Sequence, residues 1–105
     1  MNLTDTKDAV KNGRIEWLSH SLKRMFERGI ARQLVRDAIV LGEVIEDYPD
    51  AGPYPSALVL GIVDGVPLHV VVAFDSISRY CMVITAYRPD PEHFKDDFRK
   101  RKRDG

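Results

Sequence analysis

Pro67-Leu-His-Val-Val-Val-Ala-Phe74 and, further on, Met82-Val-Ile-Thr-Ala-Tyr-Arg-Pro89 are the two apolar, β-branched runs on which the fold turns. Each carries a side chain that a purely hydrophobic strand does not require: an imidazole at His69 and a phenol at Tyr87. Paired as an antiparallel hairpin, period-two alternation puts Leu68, Val70, Val72 and Phe74 on one face with Met82, Ile84 and Ala86. The most central register that matches those faces sets Phe74 opposite Met82 and His69 opposite Tyr87. A slip of two residues leaves His69 and Tyr87 diagonal neighbours, still in reach of each other.

Working upstream, Asp64-Gly65 separates this hairpin from the nearly continuous apolar run 56–63, and a two-residue Asp-Gly between apolar runs marks a tight hairpin. Glu43-Val-Ile-Glu-Asp-Tyr48 reads as a further strand, and the prolines at 49, 53 and 55 make a loop between them. These segments give a β-meander of about four strands. Arg14-Ile-Glu-Trp-Leu18 also alternates and is a candidate short strand. Ahead of the meander, residues 4–12 form a helix pattern with Thr4 or Asp5 as cap and Gly13 as stop. Ser19 caps a second helix with an apolar stripe of Leu22, Met25 and Phe26, closed by Gly29. A third helix over 31–41 buries Leu34, Val35, Ala38, Ile39 and Leu41 and stops at Gly42. Asp90-Pro91 opens a short C-terminal helix with Phe94 and Phe98 on one face. Helices grouped before an antiparallel sheet predict an α+β domain, over residues 14–103, with 1–13 as an N-terminal helical extension.

A chain of 105 residues suits one domain. No apolar run approaches a membrane span, the first ten residues lack a signal-peptide core, and the lone Cys81 rules out an internal disulfide. A cytoplasmic globular protein is the plain expectation. Net charge is zero but unevenly laid out. No Lys or Arg falls between Arg36 and Arg79, whereas Asp37, Glu43, Glu46, Asp47, Asp50, Asp64 and Asp75 do. Basic residues gather at Lys23, Arg24, Arg28, Arg32 and Arg36 and in the tail 99–103. Such a dipolar surface argues against indiscriminate nucleic-acid binding while leaving local fields that steer a polyanion.

The chemistry-bearing side chains fall in two sets. His20, Arg24 and Arg28 recur at i, i+4, i+8 along the second helix, and His69, Tyr87 and Arg88 lie on the sheet. Cleavage of RNA without a metal needs a base for the 2′-hydroxyl proton, an acid for the departing 5′-oxygen, and cations for the charge on phosphorus. Histidine, with an ordinary pKa of about 6.5, serves the first two roles, and arginine binds phosphate through paired N–H groups. His69, Tyr87 and His20 are therefore the candidate catalytic residues, and Arg24, Arg28 and Arg88 the candidate phosphate ligands. Alternation puts Arg88 on the face away from Tyr87 unless the strand twists or ends there. The bland alternatives are a hydrogen-bonded structural histidine at 69, a surface phenol at 87 and a solvated arginine face. His93 reads as a surface residue, Trp17 and Cys81 as packing residues. Three scattered histidines lack metal-ligand spacing, and the glycines form no phosphate loop, so neither metal nor cofactor is expected.

Four stretches carry a resemblance to a known family: Ser19-His-Ser-Leu-Lys-Arg-Met-Phe-Glu-Arg-Gly-Ile30, Gly42-Glu-Val-Ile-Glu-Asp-Tyr-Pro49, Gly65-Val-Pro-Leu-His-Val-Val-Val72 and Ile84-Thr-Ala-Tyr-Arg-Pro-Asp90. In this order they resemble the bacterial domain of unknown function 4258, over roughly residues 14–103. That family is similar to RelE/ParE, BrnT and MqsR-like toxins, and Glu27-Arg-Gly-Ile30 resembles a helix end of BrnT-type toxins. The resemblance implies a RelE/ParE-like fold and the toxin of a type II toxin–antitoxin pair. It also implies a metal-independent endoribonuclease acting on RNA, neutralised by a small MqsA-like zinc-finger antitoxin. The chain departs from RelE-type toxins in having no Lys between 23 and 95. Two other readings stay open: a non-enzymatic module that binds such a zinc-finger partner, using the apolar surface near Tyr48 and Tyr54, and a small-molecule-binding domain. Homodimerisation stays open with them.

Overall fold

The structure is a computed structural model, and it describes residues 1–90 and 98–99. Three helices precede most of a five-stranded sheet: α1 (Leu3–Lys11), β1 (Ile15–Trp17), α2 (Ser19–Glu27), α3 (Arg32–Leu41), β2 (Glu43–Tyr48), β3 (Ser56–Val63), β4 (Val66–Asp75) and β5 (Tyr80–Tyr87). The architecture is α+β, as the sequence predicts, with one strand more than the meander of four. The extra strand is the short alternating stretch at 15–17, which pairs in parallel with β5 and gives the order β1-β5-β4-β3-β2. Most of the expected C-terminal helix, with His93 and Phe94, lies outside the described residues; Phe98, expected on its apolar face, is a bend with φ of 58° instead.

Helix starts differ from the sequence reading. Asn2, not Thr4 or Asp5, caps α1, its side chain accepting from the Thr4 amide at 2.9 Å. Leu18 occupies the cap position of α2 without a side-chain bond, leaving Ser19 as the first helical residue. Two apolar residues assigned to buried stripes are instead in solvent, Phe26 at 88% and Leu41 at 65% exposure. For Phe26 the reason is the position of α2, which lies along the edge of β5 rather than flat on the sheet. Its buried side therefore narrows to Ser21 and Met25, one turn apart.

The core fills the space between the helices and one sheet face. Ala9, Val10, Met25, Val35, Ala38 and Ile39 pack against Val59, Leu68, Val70, Val72, Cys81, Val83 and Ala86. α3 approaches β3 so closely that side chains are excluded at the contact. A Cβ on Gly61 would stand 2.2 Å from the Ala38 carbonyl oxygen, and one on Gly42 2.4 Å from the same atom. The Asp64-Gly65 turn forms as the sequence predicts, with φ of 51° and 79° joining Val63 to Val66. Two successive positive φ values are the signature of the type I′ turn whose twist suits a hairpin.

The β4–β5 register agrees with the sequence reading at one end and departs at the other. His69 pairs with Tyr87, Val70 with Ala86 and Val71 with Thr85, but Val72 then pairs with Val83. Ile84 is the extra residue of a β-bulge, which shifts every later pair by one. Phe74 consequently faces Cys81 rather than Met82. Cys81 and Val83 turn into the core, and Met82 and Ile84 go to the opposite face.

Candidate functional site

The sheet face away from the helices holds the candidate pair. By alternation it presents Leu58, Leu60, His69, Val71, Thr85 and Tyr87. His69 is 0% exposed, and its ring meets that of Tyr87 edge-on, centroids 5.4 Å apart at 66°. His69 Nε2 lies 2.8 Å from the Phe98 carbonyl oxygen. A carbonyl can only accept, so Nε2 carries the hydrogen and donates it. Tyr87 is half-buried. Phe98 and Arg99 are the described residues over this face, and Arg99 bonds Glu43 on β2.

Cations arrive at the same strand end from α2. β1 stops opposite Val83, which leaves the outer edge of β5 from Ile84 onward without a strand partner. α2 follows β1 after a single residue and lies along that edge. Ser21, only 1% exposed, reaches through Oγ to the carbonyl oxygens of Val83, at 3.0 Å, and Ile84. Further along, Arg28 Nη1 donates to the Ala86 carbonyl at 2.9 Å and lies 3.3 Å from Thr85 Oγ1. Arg88 closes the corner, donating to the carbonyls of Arg28 at 2.9 Å and Gly29 at 3.4 Å. Side chains thus take the place of a missing strand on an otherwise open edge. Both guanidinium groups remain solvent-exposed. Arginine has five N–H donors, so these bonds leave others for a ligand.

His69, Tyr87, Arg28 and Arg88 therefore gather at one end of β5. Arg24 stands one helical turn back, 3.7 Å from Glu27. His20 is exposed at the far end of α2, beside the Val83–Ile84 end of the edge. At 1.5 Å per residue it stands about 12 Å along the helix axis from Arg28. The two histidines thus belong to opposite ends of the α2–β5 seam.

Other groups find structural explanations. Burial pushes the Cys81 thiol up to about 12, well away from a reactive thiolate. Asp75 is held below its ordinary carboxylate value first by the Ile77 amide and then by Ser78. Its Oδ1 accepts from those amides at 2.9 and 3.3 Å in the turn before β5. Trp17 packs against the core with Arg36 5.6 Å above its ring. Among the described residues no three His, Cys, Asp or Glu side chains are grouped as metal ligands. No helix among them is long and apolar enough to cross a membrane.

Three features were not foreseen from the sequence. Ser21 and Thr85 look like ordinary small polar residues, and their meaning depends on α2 lying along a strand edge. The bulge at Ile84 also borders an apolar cavity of about 190 Å³, where Met82, Ile84 and Leu18 meet Pro53 and Tyr54 of the proline loop. An Ile in an apolar run gives no local sign of such a bulge. A protein-family model described as "Domain of unknown function (DUF4258)" matches residues 17–88, taking in the first three resembling stretches whole and the fourth as far as Arg88. No curated protein and no solved structure matches the chain.

Proposed function

The chain belongs to the DUF4258 family, and from that premise we propose that it is the toxin of a type II toxin–antitoxin pair, a metal-independent endoribonuclease of RelE/ParE-like architecture. The observation that carries this reading is the cluster at the end of β5: a phenol backed edge-on by an imidazole and joined by two exposed guanidinium groups. A phosphodiester is a fitting ligand, because arginine forks match phosphate oxygens.

In this mechanism Arg28 and Arg88 hold the scissile phosphate and stabilise the charge that develops on it. The 2′-oxygen attacks phosphorus and loses its proton, and the bond to the 5′-oxygen breaks as that oxygen gains one. A 2′,3′-cyclic phosphate and a 5′-hydroxyl result. Tyr87 gives the proton to the 5′-oxygen. His69 orients the Tyr87 ring; when substrate displaces the Phe98 carbonyl, the imidazole hydrogen passes from Nε2 to Nδ1 and Nε2 then accepts the 2′-hydroxyl proton. His20 and Arg24 bind the neighbouring phosphate along α2, where the helix N-terminus adds positive potential. An antitoxin of the small zinc-finger type neutralises the protein by covering this face.

Expression without a partner should arrest growth, and Tyr87→Phe and Arg28→Ala should each relieve the arrest. Purified protein should cut RNA in the presence of a chelator, and Tyr87→Phe should lower the rate by about a hundredfold or more. Harmless expression together with intact RNA would sink the nuclease reading. The full burial of His69 favours a second reading, a non-enzymatic module that pairs with the same kind of partner. Under it, Tyr87→Phe leaves any growth phenotype unchanged.

A further inference from the structure

Where α2 turns into α3, a shallow groove of about 230 Å³ is lined by Leu22, Met25, Phe26, Ile30, Ala31 and Arg32. Phe26 stands beside it 88% exposed, and isolated exposure on that scale in a phenylalanine leaves most of its apolar surface in water. The surroundings are strongly one-signed. Arg32 lines the groove and Lys23 and Arg24 are exposed on α2, whereas Arg28 turns to β5 and Arg36 to Trp17; Glu27 is the one acidic residue of α2. Glu27 in turn is engaged by Arg24.

From this pairing of an apolar floor with a basic rim, we infer that the groove docks an acidic amphipathic segment of a partner protein. The segment's apolar side chains, three or four residues apart, enter between Phe26 and Ile30, and its carboxylates meet Lys23 and Arg32. Single-stranded RNA fits less well. A base carries polar edges, and the floor offers Leu22, Met25, Ile30 and Ala31, none of which has a side-chain polar group to answer them. A second copy of this chain fits less well too: the exposed acids of its strand β2, Glu43 and Asp47, are already paired with Arg99 and the Met1 ammonium. The inference holds whether or not the protein cleaves RNA, because it uses neither Tyr87 nor Arg88.

A library of random linear peptides, displayed on phage and selected on the full-length protein, tests it. The recovered peptides should be net negative with apolar residues three or four apart. Their binding, read by fluorescence anisotropy, should weaken by about tenfold or more in Phe26→Ala and in Arg32→Glu. It should also weaken as salt is raised. Phe26 projects into solvent, so Phe26→Ala should keep the wild-type melting temperature, which makes lost binding interpretable. Recovered peptides without acidic bias, or binding indifferent to Phe26→Ala, would overturn the inference. So would an oligouridylate that binds through Phe26, which assigns the groove to RNA, or a wild-type dimer lost in Phe26→Ala, which assigns it to self-association. RNA cleavage measured on the same Phe26→Ala protein reports separately on the nuclease reading.

Discussion

Cys81 sits at 0% exposure between β5 and the helices, opposite Phe74, and its ionisation is governed by that burial. The folded protein raises the thiol from 9.0 to about 12, so the neutral form is favoured in the native state. Its contribution to stability is therefore complete below the unfolded value of 9.0 and erodes as pH rises from there toward 12. A thiol reagent at pH 8 should leave the native protein unlabelled and react at once after denaturant is added. Rapid labelling without denaturant would mean that the helix layer opens readily over β5. Gly61 makes the complementary point by lacking a side chain. The nearest Ala38 atoms are all backbone, the closest 2.2 Å from where a Cβ would be, so no rotamer change relieves the clash. Gly61→Ala should cost about 3 kcal/mol or more, at the upper end of overpacking effects, measured by denaturant unfolding. A loss below about 1 kcal/mol would show that α3 shifts freely over the sheet.

At the scale of elements, the turn between β4 and β5 depends on one carboxylate. Asp75 Oδ1 accepts from the amides of Ile77 and Ser78, which holds its ionisation below the ordinary carboxylate value of 3.8. The charged form is thus favoured by folding. The stabilisation is present above the unfolded value and is lost as pH falls through the lower folded one. Asp75→Asn should therefore lower stability at neutral pH and flatten the acid limb of the stability curve below pH 3.8. An unchanged acid limb would remove the turn from the account. The neighbouring strands show what the sequence can and cannot reveal. His69 opposite Tyr87 was legible because matching the alternating apolar faces of the two runs favours that register. The bulge two residues before Ala86 was not, because Met82, Val83 and Ile84 are all apolar and satisfy either face. The Asp64-Gly65 turn was legible because two consecutive positive φ values demand such residues. Phe26 misled because helical spacing marks a stripe, and nothing local says whether the helix lies on a sheet face or along its edge. Arg28 and Arg88 were legible as cations, but their meeting at the end of β5 depends on the same unforeseen placement of α2.

Across the whole molecule, α1 is built into the centre of the fold. Thr6, Ala9 and Val10 of α1 are buried, and α1 rests on both α3 and β5. Removing residues 1–13 should lower stability by about 3 kcal/mol or more through the loss of that apolar burial, with a matching fall in melting temperature. A truncated protein that melts like the full chain would show α1 to be dispensable for the fold. The parallel pairing of β1 with β5 has a consequence for how the protein is made. Ile15 leaves the ribosome well before its partner Cys81, which lies on β5, the strand made last among those of the sheet. The α2 seam waits on the same event, since Ser21 and Arg28 bind carbonyls of Val83, Ile84 and Ala86. A nascent chain stalled before β5 thus has neither a closed sheet nor the His69–Tyr87 contact. The fold therefore couples synthesis of β5 to assembly of the corner where His69, Tyr87 and Arg28 meet.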